Sequence, residues 1–136
     1  MNALAIAETQ VLIVEPDLMR TTALNHACNE RGLRVIVARD LPTALLTISQ
    51  HLFDACLIAA TIQEQGDGWA LAAVCRLIFP EAYIGVVASD RSLLTLQSAI
   101  NNGVDEVFES TGGLERITAA LAQLLRHGEN PRRQMN

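Results

Sequence analysis

Val11-Leu12-Ile13-Val14-Glu15-Pro16-Asp17 is a run of four apolar residues that ends abruptly in two acids around a proline. A short run without polar alternation is typical of a strand that helices cover on both faces. Further apolar runs follow at regular intervals, at 35–37, 55–58, 83–87 and 104–108. The pattern predicts five short strands, most of them buried on both sides.

Segments of helical period separate these runs, because apolar or small residues recur in them every three or four positions. Asp17, Asp40, Asp67 and Asp90 stand at predicted N-caps, where a short carboxylate accepts from unpaired first-turn amides. The predicted inward stripes are Leu18, Thr21, Leu24 and Cys28; Leu41, Ala44, Leu45, Ile48 and Leu52; Ala70, Ala73, Val74 and Leu77; Leu93, Leu96 and Ile100; and Leu114, Ile117, Leu121 and Leu124.

Five alternating strand–helix units imply parallel strands that are joined by right-handed crossovers. The sequence therefore predicts an α/β fold, a (βα)5 doubly wound parallel five-stranded sheet with strand order 2-1-3-4-5. One domain over residues 10–126 accommodates all five units, with polar termini at 1–9 and 127–136.

Composition excludes several classes of protein. Fifteen acids against ten bases give a net charge of −5, which argues against a nucleic-acid partner, since such binding needs a basic surface. All ten bases are arginines, so chemistry that needs a lysine ammonium is closed. No apolar stretch approaches the ~20 residues that span a bilayer. Cys28, Cys56 and Cys75 are widely spaced, which favours reduced, buried thiols in the cytoplasm over a disulfide framework.

In such a sheet the functional residues lie beyond the carboxyl ends of the strands. We therefore expect the candidate site to comprise the residues that follow the predicted strands one, three, four and five. They are Glu15, Pro16 and Asp17; Ala59, Ala60 and Thr61; Ala88 and Ser89; and Glu109, Ser110 and Thr111.

Several short motifs, in this order and spacing, resemble the receiver domains of bacterial response regulators, the CheY-like modules with a flavodoxin-like fold. They are Val11 to Asp17, Phe53-Asp54-Ala55-Cys56-Leu57-Ile58, Gly66-Asp67-Gly68, and Asn102-Gly103-Val104-Asp105-Glu106-Val107-Phe108. The resemblance covers about residues 10–126. It implies phosphoryl transfer from a histidine kinase to an aspartate after strand three, beside a magnesium ion held by two acids after strand one.

The residues that carry the family's chemistry are replaced in this chain. Ala59 or Ala60 matches the phosphoacceptor, Pro16 the second acid and Ala88 the switch hydroxyl, while Ser110, Thr111 and Val107 match the lysine, the proline and the switch aromatic. The resemblance thus implies a degenerate pseudo-receiver, without enzymatic activity, cofactor or metal. Glu15 and Asp17 are the remaining candidate metal ligands, but a solvated strand-end carboxylate and a helix cap are their expected roles. Arg91 is the nearest candidate cation.

Three function classes follow from these observations. The first is a signalling module that contacts a protein partner (a sensor kinase, an effector domain or a second copy) without phosphorylation. The second is a small-molecule binder with an apolar mouth around Ala59, Ala60, Thr61 and Trp69. The third is a phosphoreceiver with an unconventional acceptor. For the first class, the resemblance implies a partner surface at the edge strand, with Leu94 and Val107 exposed; neither nucleic acid nor membrane is expected as a partner.

Overall fold

The computed structural model describes residues 9–112 and 114–127. Five strands and five helices alternate strictly along this part of the chain. The strands are β1 (Gln10–Val14), β2 (Arg34–Ala38), β3 (Ala55–Ala59), β4 (Tyr83–Ala88) and β5 (Glu106–Glu109). The helices are α1 (Leu18–Glu30), α2 (Leu41–Gln50), α3 (Asp67–Ile78), α4 (Leu93–Asn101) and α5 (Leu114–His127).

The five strands form one parallel sheet in the order β2-β1-β3-β4-β5. The predicted fold class and strand order are confirmed. The predicted polar termini lie almost entirely outside the described residues, at 1–8 and 128–136. Among the helices that the structure describes, none is long and apolar enough to cross a membrane.

Two apolar cores lie on opposite faces of the sheet. On one face Leu12, Ile58 and Ile84 pack under residues of α2 and α3. On the other face Ile13 and Leu57 pack with residues of α1 and α5. All five residues of β3 are buried, as expected of a central parallel strand covered by helices on both sides.

The helix stripes are only partly as predicted. In α1 and α2 the residues Thr21, Leu24, Cys28, Ala44 and Ile48 face inward. Leu18 on α1, Leu45 on α2, Leu52 after α2 and Leu114 at the start of α5 were predicted to face inward but are exposed. The side chain of Leu124 lies outside the described residues.

In α3 the phase of the stripe was wrong. Its buried residues are Gly68, Leu71, Ala72 and Cys75, while Leu77 is 82% exposed. In α4, Ala99 is buried and both Leu93 and Ile100 are exposed. Both helices have apolar residues on their outer side as well, so a stripe of apolar residues did not identify the inner side.

Two of the four predicted N-caps are confirmed. Asp17 accepts a hydrogen bond from the Met19 amide, and Asp40 accepts one from the Thr43 amide. In α3 the cap position falls on Gly66, so Asp67 is the first helical residue. In α4 Ser92 is the cap and accepts from the Thr95 amide. The two displaced aspartates instead organise the loops that lead into their helices.

The three cysteines are free and buried, as the spacing predicted. Burial raises the pKa of the Cys28 thiol to about 11. A thiol with so high a pKa carries almost no thiolate near neutral pH, and the thiolate is the reactive form. The cysteines therefore act as small core residues.

Arg76 connects α3 to the amino-terminal edge of the sheet. Its guanidinium donates to the carbonyl oxygens of Gly103, Pro80 and Ala82 at 2.8–3.0 Å. It also pairs with the Asp105 carboxylate at 2.7 Å. Each guanidinium nitrogen of Arg76 thus donates to an acceptor of the same chain, and its positive charge is paired with Asp105.

The first turn of α3 lies directly on the carboxyl end of β3. The Gly68 amide donates to the Ala60 carbonyl at 2.9 Å. A Cβ atom at Gly68 would lie 1.8 Å from the Ala59 carbonyl oxygen. Only glycine permits this approach, because the opposing atoms belong to the backbone and cannot move aside.

Gly68→Ala should lower the free energy of unfolding by about 3 kcal/mol, because overpacking against backbone exceeds the gain in helix propensity. Urea unfolding measures the difference. The matched control is Gly112→Ala, since a Cβ there meets no atom within 4 Å and should change stability by less than about 0.5 kcal/mol. Equal stability of the two variants would contradict the packing at β3.

Candidate functional site at the carboxyl edge of the sheet

The carboxyl ends of β1, β3, β4 and β5 meet around a cavity of about 320 Å³, which we call the carboxyl-edge cavity. Alanine and valine residues at the strand ends contribute the apolar part of its wall. Trp69 adds an aromatic side chain, and apart from Gly66 the rest of the wall is polar or charged. The lining residues are Glu15, Arg20, Ala59, Ala60, Thr61, Gln65, Gly66, Trp69, Val87, Ala88, Ser89, Asp90, Thr95 and Ser110.

Glu15 is the buried charge of this cavity, with only 4% of its surface exposed. Its Oε1 accepts from Arg20 Nη1 at 3.1 Å, and its Oε2 accepts from the Asp17 amide at 3.1 Å. The expectation of a solvated strand-end carboxylate was wrong. The start of α1 folds back over the end of β1, and this removes water from Glu15 while supplying a cation and an amide donor.

Arg20 is the cation of the cavity, and the sequence analysis missed it in favour of the exposed Arg91. Its side chain is 32% exposed and also lines a second cavity of about 250 Å³ beside Met19 and Leu114. The available signal was its position in the first turn of α1, since such a residue returns toward the strand that precedes the helix.

The residues present do not fit a magnesium ion. Glu15 is already paired with Arg20, and Asp17 accepts from the Met19 amide at 3.3 Å as a helix cap. Pro16 has no side-chain ligand, and the described residues contain no group of three acids, histidines or cysteines able to hold a metal. Since magnesium needs several hard oxygen ligands, the carboxylates of Glu15, Asp17 and Asp90, each already engaged within the chain, are insufficient.

Asp67 shapes the loop between β3 and α3, which forms one wall of the cavity. Its carboxylate accepts from the amides of Ile62, Gln63 and Glu64 at 2.7–3.0 Å. Burial alone would raise the pKa of Asp67, but these backbone hydrogen bonds together lower it. The loop is therefore held from within by an ionised side chain, and Gln65, Gly66 and Trp69 line the cavity as a result.

Asp90 has the corresponding role between β4 and α4. Its carboxylate accepts from the Ser92 amide at 2.8 Å and from the Thr95 hydroxyl at 2.7 Å. The Ser92 amide and the Thr95 hydroxyl lower the pKa of Asp90, because both hydrogen bonds favour the ionised form. Its negative charge thus faces the first turn of α4, which stabilises anions.

Seven of the eleven predicted site residues line the carboxyl-edge cavity: Glu15, Ala59, Ala60, Thr61, Ala88, Ser89 and Ser110. Asp17 lines the cavity beside Met19, while Glu109 and Thr111 line a separate cavity of about 200 Å³ near Arg116. Pro16 does not line the site, although its carbonyl accepts from Arg39 at 3.1 Å. Gln65 and Asp90 line the cavity from loops, and Thr95 lines it from α4. A prediction based on the strand ends alone does not include them.

Of the two residues predicted for a partner surface at the edge strand, one is exposed and the other is buried. Leu94 is 76% exposed, but Val107 is buried in a small cluster with Ala88 and Ala99. The expectation for Val107 was wrong because α4 covers this face of β5, so its side chain enters the core.

Comparison with solved structures shows the fold of receiver domains. A CheY-like response regulator receiver domain protein from Methanospirillum hungatei is 16% identical, with a TM-score of 0.80 over 96% of this chain and 100% of that chain. A two-component response regulator from Clostridium difficile is 21% identical, with a TM-score of 0.78 over 88% and 97%.

A response regulator from Burkholderia pseudomallei, with a phosphorylated aspartic acid, a calcium ion and citrate, is 22% identical. Its TM-score is 0.75 over 89% of this chain and 72% of that chain. No protein-family model matches this sequence, and no curated protein matches it either. At these identities the likeness establishes the CheY-like fold.

Removal of the Arg20 guanidinium should destabilise the protein, because Glu15 would then be a buried carboxylate without a cation. Arg20→Met should lower the free energy of unfolding by about 1–3 kcal/mol, because a buried carboxylate loses its partner while partial exposure of Arg20 limits the loss. Urea unfolding measures this against Arg91→Met, an exposed control. The double variant Glu15→Gln/Arg20→Met should recover part of the loss; a neutral Arg20→Met would contradict the pairing.

Magnesium should not stabilise the protein. A ligand raises the melting temperature only by binding the native state preferentially, and the carboxyl-edge cavity offers no open set of oxygen ligands. Differential scanning fluorimetry with millimolar magnesium chloride measures this against matched ionic strength in sodium chloride. A saturable rise in melting temperature that Glu15→Ala abolishes would contradict the assignment of Glu15 to Arg20.

Proposed function

We propose that this chain is a pseudo-receiver: a response-regulator-like signalling module that acts by contact with a protein partner, without aspartyl phosphorylation. The observation that carries the proposal is the pair of methyl groups at Ala59 and Ala60, at the end of β3 and in the wall of the carboxyl-edge cavity. An acyl phosphate forms only on a carboxylate nucleophile. Neither residue supplies one.

The electrostatics of the cavity support the same conclusion. Phosphoryl transfer requires metal or cationic groups that neutralise the charge on the transferred oxygens. Arg20 is the cation in the cavity wall, and it is already paired with Glu15 at 3.1 Å. A phosphoryl group would also meet the carboxylates of Glu15 and Asp90, so like charges would oppose its binding.

The residues that match the family's switch also lack the chemistry for it. Ala88 has no hydroxyl to follow a phosphoryl group, and Ser110 has no ammonium. The family's switch residue is an aromatic side chain that alternates between exposed and buried positions. Val107 is aliphatic and is buried beneath α4. The absence of these groups supports a signal that depends on partner binding rather than on a transferred phosphoryl group.

The wall of the cavity argues against the small-molecule alternative in the form that the sequence suggested. Ligand pockets are lined predominantly by apolar and aromatic side chains. The predicted residues Ala59, Ala60, Thr61 and Trp69 do line the cavity, but Glu15, Arg20, Gln65 and Asp90 stand beside them, so the wall is not predominantly apolar. The lining residues contain neither a histidine nor a cysteine. We propose a non-enzymatic role for the chain. We also propose that it acts in the cytoplasm, within a two-component system.

Acetyl phosphate should leave the protein unmodified. With magnesium present, intact-mass spectrometry should find no added phosphate, because nucleophile and metal site are both missing, and beryllofluoride should not change the oligomeric state. A phosphorylatable receiver domain treated in parallel is the positive control.

Restoring Ala59→Asp alone should not permit phosphorylation, since the metal and the free cation would still be absent. One stoichiometric phosphate on the unsubstituted protein, lost under mild alkali as acyl phosphates are, would overturn the proposal. Stable incorporation under alkali would indicate a different acceptor residue and would overturn it equally.

A further inference from the structure

Exposed large apolar side chains are concentrated on one helical layer. Of the eleven such residues in the described part of the chain, eight lie on or directly after α2, α3 and α4. They are Leu45, Leu46, Leu52, Leu77, Ile78, Leu93, Leu94 and Ile100. We call these eight residues the α2–α4 patch.

Four residues of the patch share one edge of the sheet, while Leu93 and Leu94 begin α4 at the other edge. Helices in a parallel β–α fold run back toward the amino-terminal edge of the sheet, so α2, α3 and α4 end at that same edge. Leu52, Leu77, Ile78 and Ile100 lie at these three helix ends and are 49–83% exposed. Arg76 donates to the Gly103 carbonyl at 2.9 Å, which holds the end of α3 against the segment that follows α4.

The helices of the patch are nearly free of charge. Neither α2 nor α4 contains an acidic or a basic residue. In α3 the charged residues are Asp67 and Arg76, and both are used in hydrogen bonds within the chain. The opposite layer differs, because Arg20 and Glu30 lie on α1 while Glu115 and Arg116 lie on α5.

The area of the patch matches what a stable homodimer needs. At roughly 100 Å² per fully exposed leucine or isoleucine side chain, the eight residues together expose on the order of 500 Å². A standard interface buries about 800 Å² on each partner, and in homodimers about 65% of this area is apolar. The two apolar areas agree, and a patch of this size is at the upper end for a monomer.

We propose that the α2–α4 patch binds the same patch of a second copy of this chain. A symmetric dimer brings each surface against itself, and helices nearly free of charge bring few like charges together. The edge at β5 is less suited, because each copy would bring the carboxylates of Glu106 and Glu109 to the interface. A membrane surface is also disfavoured, since such binding draws on basic residues beside the apolar face, and Arg76 is engaged.

A second copy of the chain would be the protein partner of the proposed function, and the test of dimerisation does not depend on phosphorylation. Sedimentation velocity of the full chain across a concentration series should show a reversible monomer–dimer equilibrium. Leu77→Glu should raise the dissociation constant at least tenfold, about 1.4 kcal/mol, because it buries a carboxylate of each copy in an apolar interface. Ile100→Gln, a milder change, should weaken it in the same direction.

Met19→Glu is the matched control, because Met19 is 82% exposed like Leu77 but lies on α1. It should leave dimerisation unchanged, while circular dichroism and melting temperature verify that every variant folds. A chain that stays monomeric at about 100 μM, or a dimer that Met19→Glu weakens as much as Leu77→Glu does, would overturn the inference. Failure here leaves the acetyl phosphate result unaffected, so the two proposals fail separately.

Discussion

Burial of the central strands on both faces is the constraint on which the rest of the structure depends. All five residues of β3 are buried, and the apolar residues of β1 and β4 are buried beside them. A strand in this position accepts no unpaired polar side chain, because burial without a hydrogen-bond partner is costly. Polar chemistry is therefore confined to the strand ends, where Glu15, Ser89 and Ser110 line one cavity.

At the strand ends, the charged side chains have ionic or hydrogen-bond partners within the same chain. Arg20 neutralises Glu15, backbone amides hold Asp67, and the first turn of α4 holds Asp90. A metal-dependent receiver needs an external cation to balance adjacent acids, whereas here a guanidinium is attached to the same chain as the carboxylate. The charge of Glu15 is consequently balanced within the chain.

The two helical layers have different surfaces although they pack on the same sheet. Helices α1 and α5 carry charged residues such as Arg20, Glu30, Glu115 and Arg116, although Leu18, Met19 and Leu114 are exposed there as well. Helices α2 and α4 are uncharged, and leucines face outward on both. Packing on the sheet explains only their inner residues, such as Ala44 and Ala99. The outer leucines add nothing to this core, and the exposed surface is where a protein partner would contact the chain.

The sequence alone determined the five strands, their order and two helix caps, because these depend on local patterns: continuous apolar runs, short connections, and aspartates before helices. It also indicated most of the residues around the cavity, since parallel strands end at one edge. Tertiary structure alone decided the inner face of α3, the burial of Val107 and the pairing of Glu15 with Arg20. In each case the outcome depends on how closely elements approach each other, and Gly68 on the Ala59 carbonyl is the clearest example. Periodicity carries no information about that distance when both sides of a helix are apolar.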